Sequence, residues 1–152
     1  MTTPAPARSF AELDAAVQAS VGARLFTVLH WDPDSRTLTR LHSDHPQEYP
    51  VGGTKSVEVA GDWLRTCIDH GRPWWGRDPA AVAEVFADHE LIASLGCGSI
   101  LNAPVRHGGF VVGILNALGR EGAYDDGSLA RLVAVADTAG DLVARHAPGG
   151  AS

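Results

Sequence analysis

A chain of 152 residues lies within the span of one domain and is long enough to bury a core without disulfides or a structural metal. With 45% hydrophobic and 20% charged residues it falls in the soluble globular class. Its net charge of −6, with no basic cluster, excludes nonspecific nucleic-acid binding, which rests on a basic surface that neutralises phosphates.

Residues 1–8, rich in Thr, Pro and Ala, read as a frayed tail, and Pro148 to Ser152 do likewise, which leaves a domain over residues 9–147. The opening MTTPAPARS lacks the apolar core of a signal peptide, and no run reaches the length of a membrane span. The expected compartment is the cytoplasm, with no membrane association.

The first predicted helix starts at Ser9-Phe10-Ala11-Glu12, which fits a capping box, and sets Phe10, Leu13 and Val17 on one face. Arg24 to Trp31 alternates as a strand, Asp32-Pro33-Asp34-Ser35 has type I turn chemistry, and Arg36 to Ser43 reads as the hairpin partner. A Pro- and Gly-containing loop follows from Asp44 to Lys55. A helix capped by Asp62 is expected over Trp63 to His70, with Leu64, Cys67 and Ile68 inward and Gly71 as its stop. A further strand is expected near Pro73 to Gly76. Asp78-Pro79 starts another helix, because proline at the first helical position loses only a bond that would be absent anyway. Asp88 is expected to cap a short helix ending at Gly96. Asp125 or Asp126 opens one C-terminal helix whose apolar face comprises Leu129, Leu132, Val133, Ala136, Ala139 and Val143.

Between these helices, Ser99 to Val105 and Phe110 to Leu118 are β-branched and apolar, and Arg106-His107-Gly108-Gly109 supplies the turn of a tight hairpin. Asn102 and Asn116 lie inside otherwise apolar strands, where an amide must find hydrogen bonds or a ligand. Pairing Val105 with Phe110 puts the two asparagines on opposite sheet faces, whereas a three-residue loop puts both on one face. At most one is assigned to a pocket.

The pattern LGCGSxLNxPV, a glycine hairpin and GxLNxL resembles the GAF domain family over roughly Ser9 to His146. The resemblance implies an α+β fold with a central antiparallel sheet of five or six strands. It places the terminal helices on one face and the middle loops and short helices over a small-molecule pocket on the other, between the sheet and Ser43 to Leu95. It also implies a sensory or binding module acting as a homodimer through its terminal helices or through a downstream partner protein. No kinase, phosphodiesterase or DNA-binding domain accompanies it here, so any output is expected to pass through another chain.

The best-known activities of the family do not match these residues. Aligned on Asn102-Ala103-Pro104-Val105, the reactive cysteine of free methionine-(R)-sulfoxide reductases falls near Ser94, not Cys97, and a partner cysteine is missing from the earlier loop. The Asn-Lys pair of cyclic-nucleotide-binding members is replaced by Asn102-Ala103, and neither Cys67-Ile68 nor Cys97-Gly98 fits a bilin attachment motif. The cofactor is left unspecified.

Ligand contacts are expected from Ser43, Tyr49, Gly53, Lys55, Trp63, Trp74, Trp75, Asp88, Cys97 and Asn102. Tandem Gly52-Gly53 lets backbone amides approach an anion that Lys55, the single lysine beside eleven arginines, can neutralise. The tryptophans suit a planar or apolar ligand. Cys97 reads as a buried structural thiol, with a nucleophilic thiol as the alternative, and Asp88-His89-Glu90 as a helix start, with an acid/base group as the alternative. Two other functions compete with the sensor. One is a small enzyme using Cys97, His89 or Lys55. The other is a haem or redox sensor ligated by one of His30, His42, His45, His89 or His107. No Cys/His pattern has zinc spacing.

Overall fold

A computed structural model describes residues 5–55 and 61–148, with the backbone alone at Thr54 and Lys55. The side chain of Lys55, the first half of the predicted N-terminal tail (residues 1–4) and residues 149–152 of the C-terminal one therefore lie outside the described residues. The expected N-terminal tail ran to residue 8, but Ala7 is buried and its N–H donates to the Thr138 carbonyl at 2.9 Å.

Helix α1 spans Phe10–Ser20, with the Ser9 hydroxyl accepting from the Glu12 N–H and Leu13 and Val17 buried. Strands β1 (Leu25–Asp32) and β2 (Thr37–Ser43) form the first hairpin. Its turn is tightened by Asp32, whose carboxylate accepts from the Asp34 amide and the Ser35 hydroxyl. A two-residue strand β3 (Thr54–Lys55) pairs with β2. Helix α2 (Gly61–Leu64) continues into a π-helical turn at Arg65–Asp69. Asp62 lies within the first turn, bonded to Arg65, and does not cap it. Strand β4 (Trp74–Gly76), helices α3 (Pro79–Val85) and α4 (His89–Ser94), and the long hairpin β5 (Ser99–His107) and β6 (Phe110–Gly119) follow. The six strands form one antiparallel sheet in the order β3-β2-β1-β6-β5-β4.

The predicted C-terminal helix is broken into α5 (Asp126–Ala136) and α6 (Gly140–Arg145). The Thr138 and Ala139 amides turn back three residues to Val135 and Ala136, which interrupts the α-helical ladder, and the Thr138 carbonyl at the break accepts from the Ala7 amide. Gly140 meets the Arg106 carbonyl so closely that any Cβ there would collide with it.

Side chains of the sheet divide into two cores. Phe26, Val28, Leu101, Ala103, Leu115 and Ala117 pack with α1, α5 and α6. Leu25, Leu29, Ile100, Ile114 and Leu118 pack with Trp63, Ile68, Val82, Phe86 and Ile92 of the middle segment. The expected arrangement of terminal helices on one face and middle segment on the other is thus present.

Two irregularities set which side chains reach the second core. The β5–β6 turn has two residues, Gly108 and Gly109, both with positive φ, and pairs His107 with Phe110. The register then shifts between Arg106 and Val105, so Val105 faces Gly113 and Asn102 faces Asn116 directly. Of the two alternatives, the one with both asparagines on one face holds, reached not by a three-residue loop but by a two-residue turn followed by a bulge. Gly113 permits this, because a Cβ there would strike the Leu29 carbonyl of β1. A second shift, between Val28 and Leu29, leaves Arg40 and Ser43 on the same face, although they are three residues apart.

Candidate small-molecule site

Register aligns Ser43, Thr27, Asn116, Asn102 and Trp74 in a row across β2, β1, β6, β5 and β4. Along its centre runs a buried hydrogen-bond chain. Trp63 Nε1 donates to Asn102 Oδ1 at 2.9 Å, Asn102 Nδ2 donates to Asn116 Oδ1, and Asn116 Nδ2 donates to Thr27 Oγ1 at 3.1 Å. Asn102 is wholly buried, and both ends of its amide are thereby used. This chain satisfies groups that would each cost about 1–3 kcal/mol if left bare.

Beside Asn116 and Thr27 lies a cavity of ≈ 20 Å³, room for about one water molecule. Its polar lining comprises Thr27, Arg40, Tyr49, Asp88 and Asn116, and its apolar lining Leu25, Leu29, Ile92, Ile100 and Leu118. Tyr49 closes it. The phenol donates to Asp88 Oδ2 at 2.7 Å, and the Arg40 guanidinium sits 4.9 Å from the ring centroid. Burial, reinforced by the Asp88 hydrogen bond, holds the Tyr49 phenol far above its ordinary range, so it stays protonated and remains the donor. Burial pulls Arg40 down, and the neighbouring Tyr49 and Asp88 oppose it.

The strap carrying Tyr49 is fastened by backbone bonds, Arg40 N–H to Gly53 O and Gly52 N–H to Arg40 O, and by Arg40 Nη1 to Pro50 O at 3.1 Å. Gly53 is needed there, since a Cβ would stand 2.8 Å from Arg40 Nη1.

Of the ten residues predicted to meet a ligand, Tyr49 and Asp88 line this cavity. Asp88 does so in place of the expected capping: its side chain makes no cap hydrogen bond to α4 and turns to Tyr49. Asn102 stands one step behind Asn116, and Ser43 is buried with its hydroxyl accepting from the His45 amide. Gly53 supports the strap. Trp63 and Trp74 both pack edge-on against Phe86, while Trp75 faces the opposite core with Arg77 over its ring. Cys97 is buried in the second core, and its thiol is raised by burial against the pull of Arg24. Cys67 is raised further, to about 12.

Thr27, Arg40 and Asn116 were not singled out as ligand contacts by sequence reasoning. The available signal was Arg40, two residues from buried Leu38 and so in phase with the inward side of an alternating strand.

The histidines are scattered. His42 Nε2 pairs with Asp14 Oδ2 and His45 Nδ1 with Asp44 Oδ1, each at 2.8 Å, and His107 is exposed at the hairpin. Among the described residues no group of three or more His, Cys, Asp or Glu side chains is placed to hold a metal ion. Nor is any described helix long and apolar enough to cross a membrane.

An antiparallel α+β domain with a strapped-over cavity on one sheet face is thus defined. The family model described as GAF domain matches residues 12–144, and the chain belongs to that family. Among solved structures it is similar to the GAF domain of a two-component sensor histidine kinase from Bacillus halodurans (21% identity, 90% of this chain and 91% of that one, TM-score 0.66). It is also similar to a GAF domain/HD domain protein from Geobacter sulfurreducens (14%, 93% and 94%, TM-score 0.71). A type II free methionine-R-sulfoxide reductase from Thermoplasma acidophilum is similar as well (14%, 90% and 89%, TM-score 0.64). At these identities the likeness is one of fold. A comparison with curated protein sequences finds no match.

Proposed function

We propose that this GAF domain is a cytoplasmic small-molecule-binding sensory module whose ligand enters beside Thr27, Arg40 and Asn116, beneath the strap that carries Tyr49. One observation carries the reading: the sheet face under the middle segment buries a guanidinium, two amides and a hydroxyl where an all-apolar core would pack at lower cost. The occurrence of GAF domains in sensor kinases agrees with it. Since the closed cavity holds about one water, binding requires Tyr49 to leave, and ligand and Tyr49 are mutually exclusive. A metabolite screen read by thermal shift and amide NMR tests this. A binder is expected to perturb Thr27, Asn116 and Tyr49 together, and binders that perturb only the helical face overturn the reading.

The output surface in this reading is formed by the terminal helices joining a second copy. The outer faces of α1 and α5 carry exposed Ala16 and Ala134, which flank a 380 Å³ groove, and small side chains allow close helix approach. Sedimentation of the wild type is expected to give a dimer, and Ala16→Arg a monomer. A monomeric wild type removes this part.

A further inference from the structure

Among the described residues Arg40 is the one cation that lines the cavity, and the neighbouring Asp88 offsets its burial without a direct ion pair. Arg40 is only 8% exposed, yet among the described residues no carboxylate forms an ion pair with it. Nη1 is spent on the Pro50 carbonyl, while Nε is buried with no hydrogen-bond partner. A guanidinium withdrawn from water and left with an open donor is costly, and its fork matches a carboxylate in geometry. The Tyr49 hydroxyl already engages Asp88, so the unused capacity in this part of the wall belongs to Arg40. Thr27 accepts from Asn116 and so keeps its own proton to donate.

Resting on the sensor reading above, we infer that the ligand is a small aliphatic monocarboxylate. Its carboxylate pairs with Arg40, and its hydrocarbon part takes the space that Tyr49 vacates against Leu25, Leu29 and Ile100. The class follows from the wall. One guanidinium neutralises one carboxylate, whereas a phosphate would bring nearly two charges beside Asp88. The remaining lining is branched aliphatic and suits a short branched chain.

Isothermal titration and amide NMR with isobutyrate, its neutral isostere isobutyramide, and the zwitterion valine test the inference on the full chain. Wild-type protein is expected to bind isobutyrate at least tenfold more tightly than isobutyramide. Arg40→Gln is expected to abolish that preference and Asp88→Asn, which removes a negative charge beside the bound carboxylate, to increase it, with folding of each variant checked by circular dichroism. Where Arg40→Gln does not fold, Arg40→Lys keeps the charge without the fork and is expected to show a reduced preference. Equal binding of acid and amide by the wild type overturns the inference while leaving a working pocket. Binding of valine alone, lost in Asp88→Asn, overturns it in favour of a zwitterionic ligand. If none of the three binds while the metabolite screen yields a ligand that perturbs Thr27 and Asn116, the monocarboxylate class falls and the sensor reading stands. Perturbation of the helical face alone overturns both.

Discussion

The two faces of this sheet are made by the same strands and have opposite characters. Toward the terminal helices, Leu101, Ala103 and Val105 of β5 and Leu115 and Ala117 of β6 form an unbroken apolar surface. Toward the middle segment, the same strands contribute Asn102 and Asn116, joined by Thr27 and Arg40 from β1 and β2. Apolar packing alone would have served both faces equally well. The polar side is more demanding, because every amide on it must be matched. A face that carries that cost has the polar groups a ligand can engage.

Truncating one large residue on each side separates the two kinds of packing. Trp63→Ala removes a fully buried indole and strips Asn102 Oδ1 of its donor, so a loss of about 4 kcal/mol is expected in urea unfolding. Leu115→Ala, which leaves only a cavity on the helical face, is expected to cost about 3 kcal/mol. Equal losses would mean that the polar chain adds nothing to the indole's packing. Asn116→Ala is expected to cost about 2 kcal/mol, since it orphans Asn102 Nδ2 and removes the donor to Thr27. Replacing Asn102 and Asn116 together by leucine should cost less than the sum of the single changes, and strict additivity would refute a coupled pair.

The smallest effect concerns pH. Burial raises the Cys67 thiol from its ordinary 9.0 to about 12. An acid that is harder to ionise when folded contributes stability fully below pH 9 and loses it as pH rises from there toward 12. Wild-type stability is therefore expected to fall more steeply than that of Cys67→Val above pH 9. Parallel curves in guanidinium melts would show that the thiol is not shielded. Below pH 9 the two curves should run parallel.

Much of the fold was legible because it rests on local chemistry. Ser9 and Asp78 cap the helices they precede, Gly71 with its positive φ follows the π-helical turn, and the alternation of β5 and β6 announces a two-faced hairpin. The candidate site was legible only in part. Tyr49 and Asp88, 39 residues apart, were each named among the ligand contacts, but nothing local shows that one donates to the other. Asp88 looked like a cap because aspartate before a helix usually is one; here the phenol 2.7 Å away takes the carboxylate instead. The tryptophans looked like pocket lining by size, but the structure uses Trp63 and Trp74 as packing around Phe86.

What the sequence determined by itself is the set of elements and the family to which they belong, since caps, turns and periodicity act over a few residues. What the tertiary structure decided is which polar groups meet. A one-residue shift in strand pairing exchanges the faces of every side chain beyond it, and two such shifts occur, one between Val28 and Leu29 and one between Val105 and Arg106. Both depend on how neighbouring strands dock, as at Gly113 against the Leu29 carbonyl. They bring Arg40, Thr27, Asn116 and Asn102 to one face, and so turn isolated polar residues into a candidate site.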